Sequence, residues 1–486
     1  MSKFKYQAYK QLQLATANVY ADAREAAAKL GITEELKGQL GLTGAVSNCH
    51  GLLTRKVTEA MEAGARKVIN NANLNERVRE LVKSHYGDEW DAACVNTCEA
   101  GLWVTIDTLF TPPLTGRGSP YRARYIAPYE RHLHHQGGYG RPFPPRYKDL
   151  FADRGTTAGE LGFSGKRQNE LDVIYARLSG ANYDCHGIKY HPCPLLADVD
   201  ARESVKEIAA LADRHADALT GFISLGYDLP GYGYGQRSEN GAPALQRGIA
   251  EIANRYHLPY VADNAWGTPF VGVDPRASGA DIMIYSMDKA AGAPTVGLII
   301  GKEEPMVAVR RALGMHGDRW GTTTSHGKAA YVTNDPGKEG LLGAIASLEV
   351  LQSDSDAFTD AINELNGIVQ EIAADQPAAI RDGLRITKSF NSMAVEINYE
   401  DTWKNGRHGV PIFSIEDMYA GSHLIQGGMA QMGLVPTIAY DANLLISLGL
   451  GTTDEEGRLI RDRAQIVTRA AFEAMRIVSR HSGFTD

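Results

Sequence analysis

The chain has 486 residues, of which 43% are hydrophobic and 22% are charged, a globular composition that excludes disordered, collagen-like and disulfide-stapled classes. Its 50 basic and 58 acidic residues give a net charge of −8, which argues against a nucleic-acid partner. The N-terminal segment lacks the apolar core of a signal peptide, and no window approaches the roughly 18 consecutive apolar residues that span a bilayer. We therefore expect a soluble cytoplasmic protein that does not contact membranes.

The N-terminal third is predicted to be helical and then irregular. Apolar residues at helical spacing predict helices over 7–30, 52–69 and 76–87, and Gly87 is a stop signal for the last of them. Residues 110–160 are dense in Pro, Gly, Arg, Tyr and His, a composition that resists regular structure. Long ordered loops of this kind often carry function.

The middle of the chain alternates strands with helices. Short apolar runs predict strands over 221–228, 258–265, 281–288 and 296–302, and helical spacing predicts a helix over 243–256. Strands that alternate with helices of this length form right-handed crossover units. The sequence therefore predicts an α/β domain with a mainly parallel sheet.

The C-terminal part has a different pattern. Helices dominate from 301 to about 374, and a long helix is predicted over 456–481. Between them lie strand-like runs at 384–390, 393–400, 434–440 and 443–450. We predict three parts: an N-terminal helical arm (1–70), a large domain (71–335) and a smaller α+β domain (336–486).

Two residues at predicted strand ends suggest the chemistry. Asp263 ends the run YVAD, and Lys289 follows the next strand 26 residues later, before a Gly/Ala-rich turn. In an α/β sheet, ligands bind at the carboxyl ends of the strands. A lysine amine can form an imine with pyridoxal phosphate, and a carboxylate can keep the pyridinium nitrogen protonated. The pair therefore points to a pyridoxal-phosphate site.

The segments VADNAWG and SMDKAAGAPTVGLIIGK resemble fold-type-I pyridoxal-phosphate-dependent enzymes, the aspartate aminotransferase superfamily. The second segment is most similar to the SelA-like branch, which is grouped with the cysteine-desulfurase-like proteins and includes selenocysteine synthases and sugar-acid ammonia-lyases. CVNTCEAGLW resembles the phosphate-binding turn, HGDRWGTTT the segment that reaches the neighbouring subunit's phosphate, and NLLISLGLGTTDEE the closing strand and helix start. The pieces occur in the superfamily's order over most of the chain.

The resemblance implies roles for individual residues. Lys289 would hold the cofactor, Asp263 would face its ring nitrogen, and a histidine would stack on the ring, for which we favour His135 over His134 and His132. The helix N-terminus after the first turn would bind the phosphate. The remaining cofactor-binding residues that we predict are Thr97, Cys98, Glu99, Ala265, Ser286 and Thr322.

The substrate-binding residues are less defined. Many relatives carry an arginine just before the closing I-S-L-G run, where it grips an α-carboxylate, and this chain has Leu445 there. We predict that Arg319 and Arg385 are substrate residues, with Arg310 and Arg311 as further candidates. Tyr234, or alternatively Tyr232, is predicted to line the pocket.

Two cysteine-containing segments need a separate interpretation. CHGIKYHPC (185–193) contains two cysteines and two histidines, but its spacing matches no standard zinc pattern, so we predict no metal site. Cys94 and Cys98 are interpreted as packing residues near the phosphate turn and not as a redox pair.

Together these features predict an enzyme that acts on a small amino-acid-like substrate. The favoured reaction is a lyase reaction, α,β-elimination or β-replacement, through an external aldimine and a quinonoid in which Lys289 removes the Cα proton. An aminotransferase on the same scaffold is the alternative. A tRNA-dependent selenocysteine-type synthase fits poorly with the net negative charge, and a non-catalytic relative fits poorly with the presence of Asp263 and Lys289. The resemblance also implies a homodimer or higher homo-oligomer with the active site at the interface.

Overall fold

The structure of the protein is a computed structural model. The described residues are 12, 14–42, 53–110, 124–130, 177–178, 181–182, 189–195, 200–226, 228, 233–239, 241–315, 334–389, 391–399, 401–402, 421–436, 439–440 and 443–482.

The first half of the described chain contains a large α/β unit preceded by helices. Its elements are α1 (Thr16–Lys29), α2 (Arg55–Ala65), α3 (Asn71–Tyr86), β1 (Trp90–Val95), α4 (Cys98–Phe110), β2 (Arg124–Glu130), β3 (Arg177–Leu178), β4 (Ala181–Asn182), β5 (Lys189–Leu195), α5 (Ala201–His215), β6 (Leu219–Leu225), α6 (Ala244–Arg255), β7 (Tyr260–Asp263), α7 (Pro275–Ser278), β8 (Ile282–Ser286), α8 (Met287–Ala290), β9 (Gly297–Lys302) and α9 (Glu303–Ala312).

The second half begins with long helices and continues with a smaller sheet. Its elements are α10 (Gly337–Ser353), α11 (Ser355–Ala374), α12 (Ala378–Arg381), β10 (Arg385–Lys388), β11 (Ala394–Asn398), α13 (Gly421–Gln431), β12 (Ala439–Tyr440), β13 (Asn443–Ser447) and α14 (Arg461–His481).

Seven strands form the main sheet, in the order β1-β9-β8-β7-β6-β2-β5. The pairs from β8 through β5 are parallel, whereas β9 is antiparallel to both of its neighbours, β1 and β8. The prediction of a mainly parallel sheet with helical crossovers is confirmed. Because β9 reverses direction between β1 and β8, those two strands run parallel, and the carboxyl ends of β1, β8, β7 and β6 share one edge.

The smaller sheet is antiparallel, in the order β10-β11-β13-β12. On β11, Val395 and Ile397 pack into a core with helices α11, α13 and α14. Because side chains alternate along a strand, Ala394 and Glu396 lie on the opposite face. Their cross-strand partners on β13 are Ser447 and Leu445.

The buried apolar side chains among the described residues form two hydrophobic cores. The first runs from Leu74 to Leu351 and includes α10, and the second joins residues of α1 to the chain from Ile362 onward. The packing of α1 on α13 and α14 explains its predicted apolar stripe, because the buried residues Val19, Ala23 and Ala26 face that core. The division of the chain at 70 and 335 stays a prediction.

Several element boundaries differ from those expected. The run 281–288 is a strand only to Ser286, after which Met287–Ala290 form a helical turn. The run 434–440 is a strand only at Ala439–Tyr440, while Val435 bridges to Gly41. The final helix begins at Arg461 because Asp454 accepts hydrogen bonds from two backbone N–H groups after it and so forms a turn.

No helix among the described residues is long and apolar enough to cross a membrane. In the same part of the chain, no group of three or more His, Cys, Asp and Glu side chains is arranged to hold a metal ion.

Candidate active site

The carboxyl ends of four strands converge at one edge of the main sheet. Val95 at the end of β1 pairs with Gly297 on β9, which also pairs with Ser286 at the end of β8. On the other side of β8, Ile284 pairs with Asp263, the last residue of β7. Neighbouring strands lie about 4.8 Å apart, so these ends lie within a few strand widths of one another.

Lys289 and Asp263 follow these strand ends. Asp263 is buried, with 3% of its surface exposed, and its carboxylate accepts a hydrogen bond from the backbone N–H of Ala265 at 3.2 Å. Lys289 lies in the turn α8 and is partly exposed. A buried carboxylate beside an accessible amine is the pair that the sequence predicted.

The thiol of Cys98 shows that the phosphate-turn segment lies close to this pair. Burial, together with the negative charge of Asp263, raises the pKa of Cys98, and the positive charge of Lys289 lowers it. Asp263 and Lys289 therefore both lie within electrostatic reach of Cys98. Cys94 and Cys98 are both buried free thiols, and burial raises the pKa of Cys94 to about 12. Burial therefore disfavours the thiolate form of both side chains.

The segment before α4 has the geometry of an anion-binding turn. The Thr97 hydroxyl accepts a hydrogen bond from the N–H of Ala100 at 3.0 Å, which makes Thr97 the N-cap of this 13-residue helix. The positive end of the helix dipole points out of this turn. Gly297 packs directly against it, because a Cβ there would lie 2.3 Å from the Thr97 carbonyl oxygen and 2.7 Å from the Cys98 nitrogen.

A pocket opens beside Lys289, between the two hydrophobic cores. Its wall on the side of the large sheet contains Asp288, Lys289 and Gly292. The opposite wall comes from the small sheet and from segments near it. These residues are Phe358, Ser392, Met393, Ser447, Leu448, Gly449, Thr453 and Gly457, and Thr54 also lines the pocket.

Asn391 joins the two sides of the pocket. This residue, 1% exposed, donates hydrogen bonds to the Gly226 carbonyl oxygen at 2.5 Å and to the Asn264 side chain at 2.7 Å. Its side-chain oxygen accepts from the N–H of Val273 at 3.0 Å and from Asn264 Nδ2 at 3.2 Å. Asn391 therefore binds to the residues that follow β6 and β7, and it precedes the pocket residues Ser392 and Met393.

Two glycines make room for this amide pair. A Cβ at Gly226 would lie 2.5 Å from the side-chain carbon of Asn264, and one at Gly267 would lie 2.2 Å from its nitrogen. Real Cβ atoms do not approach so closely. The close packing around Asn264 fixes the backbone immediately after Asp263.

Among the other predicted cofactor residues, Ser286 and Ala265 lie at the same sheet edge. Ser286 is buried, and its hydroxyl donates to the Asp288 carboxylate at 2.5 Å. Ala265 is partly exposed and follows Asp263 by two residues. Glu99 is the second residue of α4, where its charge complements the helix N-terminus. Thus the structure brings together the predicted residues on the β1, β7 and β8 ends.

The predicted substrate residues with described side chains lie outside the residues that line this pocket. Tyr234 is 1% exposed and packs in the first core. Arg385, on β10, donates to the Asn398 side chain at 3.0 Å and pairs with Asp401 at 3.5 Å. Arg310 pairs with the buried Asp91 at 3.1 Å, which makes it a structural cation.

Several predictions fall outside the described residues. These are the histidines His132, His134 and His135, the residues Arg319 and Thr322, Tyr232, and the residues Cys185 and His186 of the cysteine- and histidine-rich segment.

The sequence reasoning missed the small-sheet wall. Ser392, Met393 and Ser447 line the pocket, and Asn391 and Glu396 lie behind it. A signal existed for Glu396, because it interrupts the apolar run MAVEINYE at a position that a solvent-facing residue would occupy. No pattern in one sequence marks Asn391, since its partners Asn264 and Gly226 are 127 and 165 residues away.

Comparisons with known proteins agree with the fold described above. No family model matches the chain. A D-glucosaminate-6-phosphate ammonia lyase from Salmonella typhimurium is 28% identical over 169 residues, which is 33% of this chain and 41% of that protein. The chain therefore spans less than half the length of this curated relative.

Solved structures extend the similarity to nearly the whole chain. An ancestrally reconstructed transaminase matches with a TM-score of 0.54 and 13% identity, covering 90% of this chain and 92% of that one. The PMP-bound aminotransferase from Vibrio fluvialis matches with a TM-score of 0.52 and 13% identity over 87% and 85% of the chains. The SepCysS–SepCysE N-terminal domain complex matches at 0.51 and 10% identity, over 93% and 98%.

The chain has the fold of fold-type-I pyridoxal-phosphate-dependent enzymes. The proteins that it resembles in sequence and structure are pyridoxal-phosphate-dependent lyases and transferases. The residues present fit that cofactor, because a lysine amine, a buried carboxylate and a capped helix N-terminus meet at one sheet edge beside a pocket.

Proposed function

We propose that this protein is a pyridoxal-phosphate-dependent enzyme that acts on a small amine or amino acid. The observation that carries the proposal is the convergence of Asp263, Lys289 and the Thr97–Cys98 turn at one edge of the main sheet, where Lys289 lines a pocket. When bound there, pyridoxal phosphate supplies an electron sink for carbanion chemistry at the carbon next to the substrate nitrogen.

Each of these groups has a distinct task. Lys289 lines the pocket, where its amine would hold the cofactor as an imine, with the aldehyde oxygen leaving as water, and would serve as the base for a proton on substrate carbon. The buried Asp263 carboxylate would hold a proton on the ring nitrogen. The Thr97 hydroxyl and the N-terminal amides of α4 would bind the phosphate, with Gly297 keeping the turn against β9.

Lyase chemistry, as α,β-elimination or β-replacement, is the reaction that we favour. The curated relative is named as an ammonia lyase. In this chain Leu445 occupies the position where many aminotransferases of the superfamily carry a carboxylate-binding arginine, and it lies on β13 opposite Glu396. Aminotransfer on the same scaffold is the second candidate, because it requires the same Asp263 and Lys289.

The proposal also covers the oligomeric state, the class of substrate and the cellular compartment. We infer a homodimer or higher homo-oligomer in which the segment containing Thr322 reaches the neighbouring subunit's phosphate, as the resemblance implies. The substrate is a small molecule and not a nucleic acid, which agrees with the net charge of −8. The cytoplasm is the expected compartment.

The deciding experiment compares the purified protein with Lys289→Ala after incubation with pyridoxal phosphate. The native protein should absorb at about 410–430 nm, and borohydride should abolish the band and leave the cofactor covalently fixed to Lys289. Lys289→Ala should retain no covalent label. Lys206→Ala, a change at an exposed lysine on α5, is the matched control and should behave as the native protein.

The same preparation separates the two reactions. Amines and amino acids are screened for ammonia release without a second substrate and for transfer that requires a keto acid. Ammonia release that needs no keto acid supports the lyase reaction. If turnover strictly requires a keto acid, the lyase proposal is wrong and the aminotransferase proposal takes its place. A native protein that binds no pyridoxal phosphate overturns the proposed function.

A further inference from the structure

Two buried asparagines, Asn264 and Asn391, form a reciprocal amide pair one residue after Asp263. Each of the two is 1% exposed. Asn391 Nδ2 donates to Asn264 Oδ1 at 2.7 Å, and Asn264 Nδ2 donates to Asn391 Oδ1 at 3.2 Å. Asn264 follows β7 of the main sheet, whereas Asn391 precedes β11 of the small sheet. The pair therefore joins the two sheets, and the proposed chemistry gives it no task.

The side chain of Asn391 makes every hydrogen bond of which an amide is capable. Besides the two bonds to Asn264, its Nδ2 donates to the Gly226 carbonyl oxygen at 2.5 Å, and its Oδ1 accepts from the Val273 N–H at 3.0 Å. An amide side chain offers two N–H groups and two oxygen lone pairs, so all four are used. A carboxylate or an apolar side chain of the same size cannot reproduce this set. The main sheet therefore specifies an asparagine at this position of the small-sheet turn.

The loop that follows Asp263 packs closely around Asn391. The Thr268 N–H donates to the Asn391 carbonyl oxygen at 2.8 Å. A Cβ at Gly272 would lie 2.7 Å from Asn391 Oδ1 and 2.9 Å from the Asn391 carbonyl oxygen. Real Cβ atoms do not approach so closely, so a larger residue at this position would push the loop away from Asn391. The loop after Asp263 is thus shaped to enclose a residue of the other sheet.

The same contacts hold the backbone on both sides of the Asp263 carboxylate. The Gly226 N–H donates to the Asp263 carbonyl oxygen at 2.7 Å, and the Gly226 carbonyl oxygen accepts from Asn391. Asn264, which binds the same Asn391, follows Asp263 directly. The Asp263 carboxylate accepts from the N–H of Ala265, the next residue of this turn. A displacement of Asn391 therefore reaches the carboxylate through Gly226 and through Asn264.

Asn391 also begins the pocket wall opposite Lys289. The next two residues, Ser392 and Met393, line the pocket. Met393 has a φ of 50°, in the left-handed region that residues with a Cβ seldom adopt, so the surroundings of the turn hold its backbone there. Because Asn391 binds the main sheet directly, its position sets where this wall stands relative to Lys289.

We propose that Asn264 and Asn391 are a positioning pair that sets the Asp263 carboxylate and the Ser392–Met393 wall together. This inference rests on the proposed function, because Asp263 is assigned to the cofactor ring nitrogen and the wall to the substrate. Loss of either amide lets the turn after Asp263 relax, so the carboxylate moves away from the place where the ring nitrogen binds. Both asparagines act through Asp263 and through the wall.

The first test reads the protonation of the cofactor ring, by NMR of bound pyridoxal phosphate that carries nitrogen-15 in the ring. The native protein should show a protonated ring nitrogen and Asp263→Asn an unprotonated one, because a nearby negative charge favours the protonated form. Asn391→Ala should move the signal toward that of Asp263→Asn. Asn254→Ala, the same change at an exposed residue of α6, should give the native signal. A native signal in Asn391→Ala overturns the role toward Asp263.

The second test is a double-mutant cycle on the dissociation constant for pyridoxal phosphate, measured by absorbance titration. Asn391→Ala should raise the constant about tenfold in the native protein and by less than about threefold in Asp263→Asn, because the group through which it acts is already changed there. Asn264→Ala should give the same two factors, and it decides the question where Asn391→Ala does not fold. Equal factors in both backgrounds show that the asparagines act independently of Asp263 and overturn the proposal.

The third test uses the protein without cofactor and so separates the pair from the proposed function. Asn264→Ala and Asn391→Ala should each lower the folding constant in urea unfolding by about 10²-fold, and the double variant should lose at most about tenfold more, because either amide alone lacks its partner. Independent losses would multiply to about 10⁴-fold, and that result overturns the pair. If the native protein binds no pyridoxal phosphate, the proposed function and the role toward Asp263 both fail, and the pair is judged on these unfolding curves.

Discussion

The two walls of the pocket are built in different ways. The wall at the main sheet is one short segment that follows β8, from Asp288 to Gly292, and Asp263 at the end of β7 lies only 26 positions before Lys289. The wall at the small sheet consists of short segments from across the C-terminal half, together with Thr54. The first wall carries the charged side chains of Asp288 and Lys289, and the second carries small, hydroxyl-bearing and apolar groups.

This difference separates residues that reach the site because they follow a strand from residues that reach it only through tertiary packing. Parallel strands bring their carboxyl ends to one edge whatever their sequences, so a chemical group placed after a strand reaches the site automatically. The opposite wall reaches the site only through contacts such as those of Asn391 with Gly226 and Asn264. Its position therefore depends on packing between the two cores.

The largest effect is expected from a change at Asp263, next to the main-sheet wall of the pocket. Asp263→Asn keeps the size of a side chain that is 3% exposed but removes its charge, so under the proposed function the ring nitrogen of pyridoxal phosphate would no longer be held protonated. We expect turnover of the amine identified in the screen to fall by roughly 10²–10³-fold, the usual cost of one lost electrostatic contact in a reaction site. Steady-state kinetics measures the loss. Asp360→Asn, an exposed change on α11, should leave the rate unchanged, and an equally active Asp263→Asn would contradict the assigned role.

The next effect breaks the link between the walls. Asn391→Ala removes the hydrogen bonds that Asn391 makes to Asn264 Oδ1 and to the N–H of Val273, and each buried polar group left unsatisfied costs about 1–3 kcal/mol. We expect the free energy of unfolding to fall by about 3 kcal/mol and pyridoxal phosphate to bind more weakly, as measured by urea unfolding and absorbance titration. Asn18→Ala, at an exposed residue of α1, should change stability by less than about 0.5 kcal/mol. Native-like stability of Asn391→Ala would show that the link is unimportant.

The smallest effect is expected from a change beside the Thr97–Cys98 turn, the proposed phosphate site. Gly297→Ala places a methyl group 2.3 Å from the Thr97 carbonyl oxygen, so the turn must shift, and such overpacking costs about 1–3 kcal/mol. We expect weaker pyridoxal phosphate binding and a lower melting temperature. Gly367→Ala on α11 is the opposite control, because nothing lies within 4 Å of its added methyl. That variant should gain about 0.5–1 kcal/mol, since alanine favours helices. Equal affinity in both variants would remove Thr97 and Gly297 from the phosphate site.

The predicted positions of individual residues follow the same distinction between placement by local pattern and placement by tertiary packing. The strand ends that place Asp263, Lys289 and Thr97 were predictable, because period-two and period-3.6 patterns identify strands and helices locally. Tyr234 was expected to line the pocket because it follows a strand, yet it turns into the first core and is 1% exposed. Arg385 has the predicted charge, but neighbouring Asn398 and Asp401 engage its guanidinium. Sequence alone shows which side chains exist and not which neighbours compete for them.

The sequence by itself determined the alternation of strands and helices between 221 and 302, the mainly parallel sheet, and the position of Asp263 and Lys289 at or just after strand ends. These features depend on local periodicity and on the rule that strand ends meet at one edge. Only the tertiary structure decided that Asn391 joins the two pocket walls and that the buried Glu396 lies within electrostatic reach of Asp228. These contacts join residues more than a hundred positions apart, and they form only because two separately packed cores dock with one particular spacing.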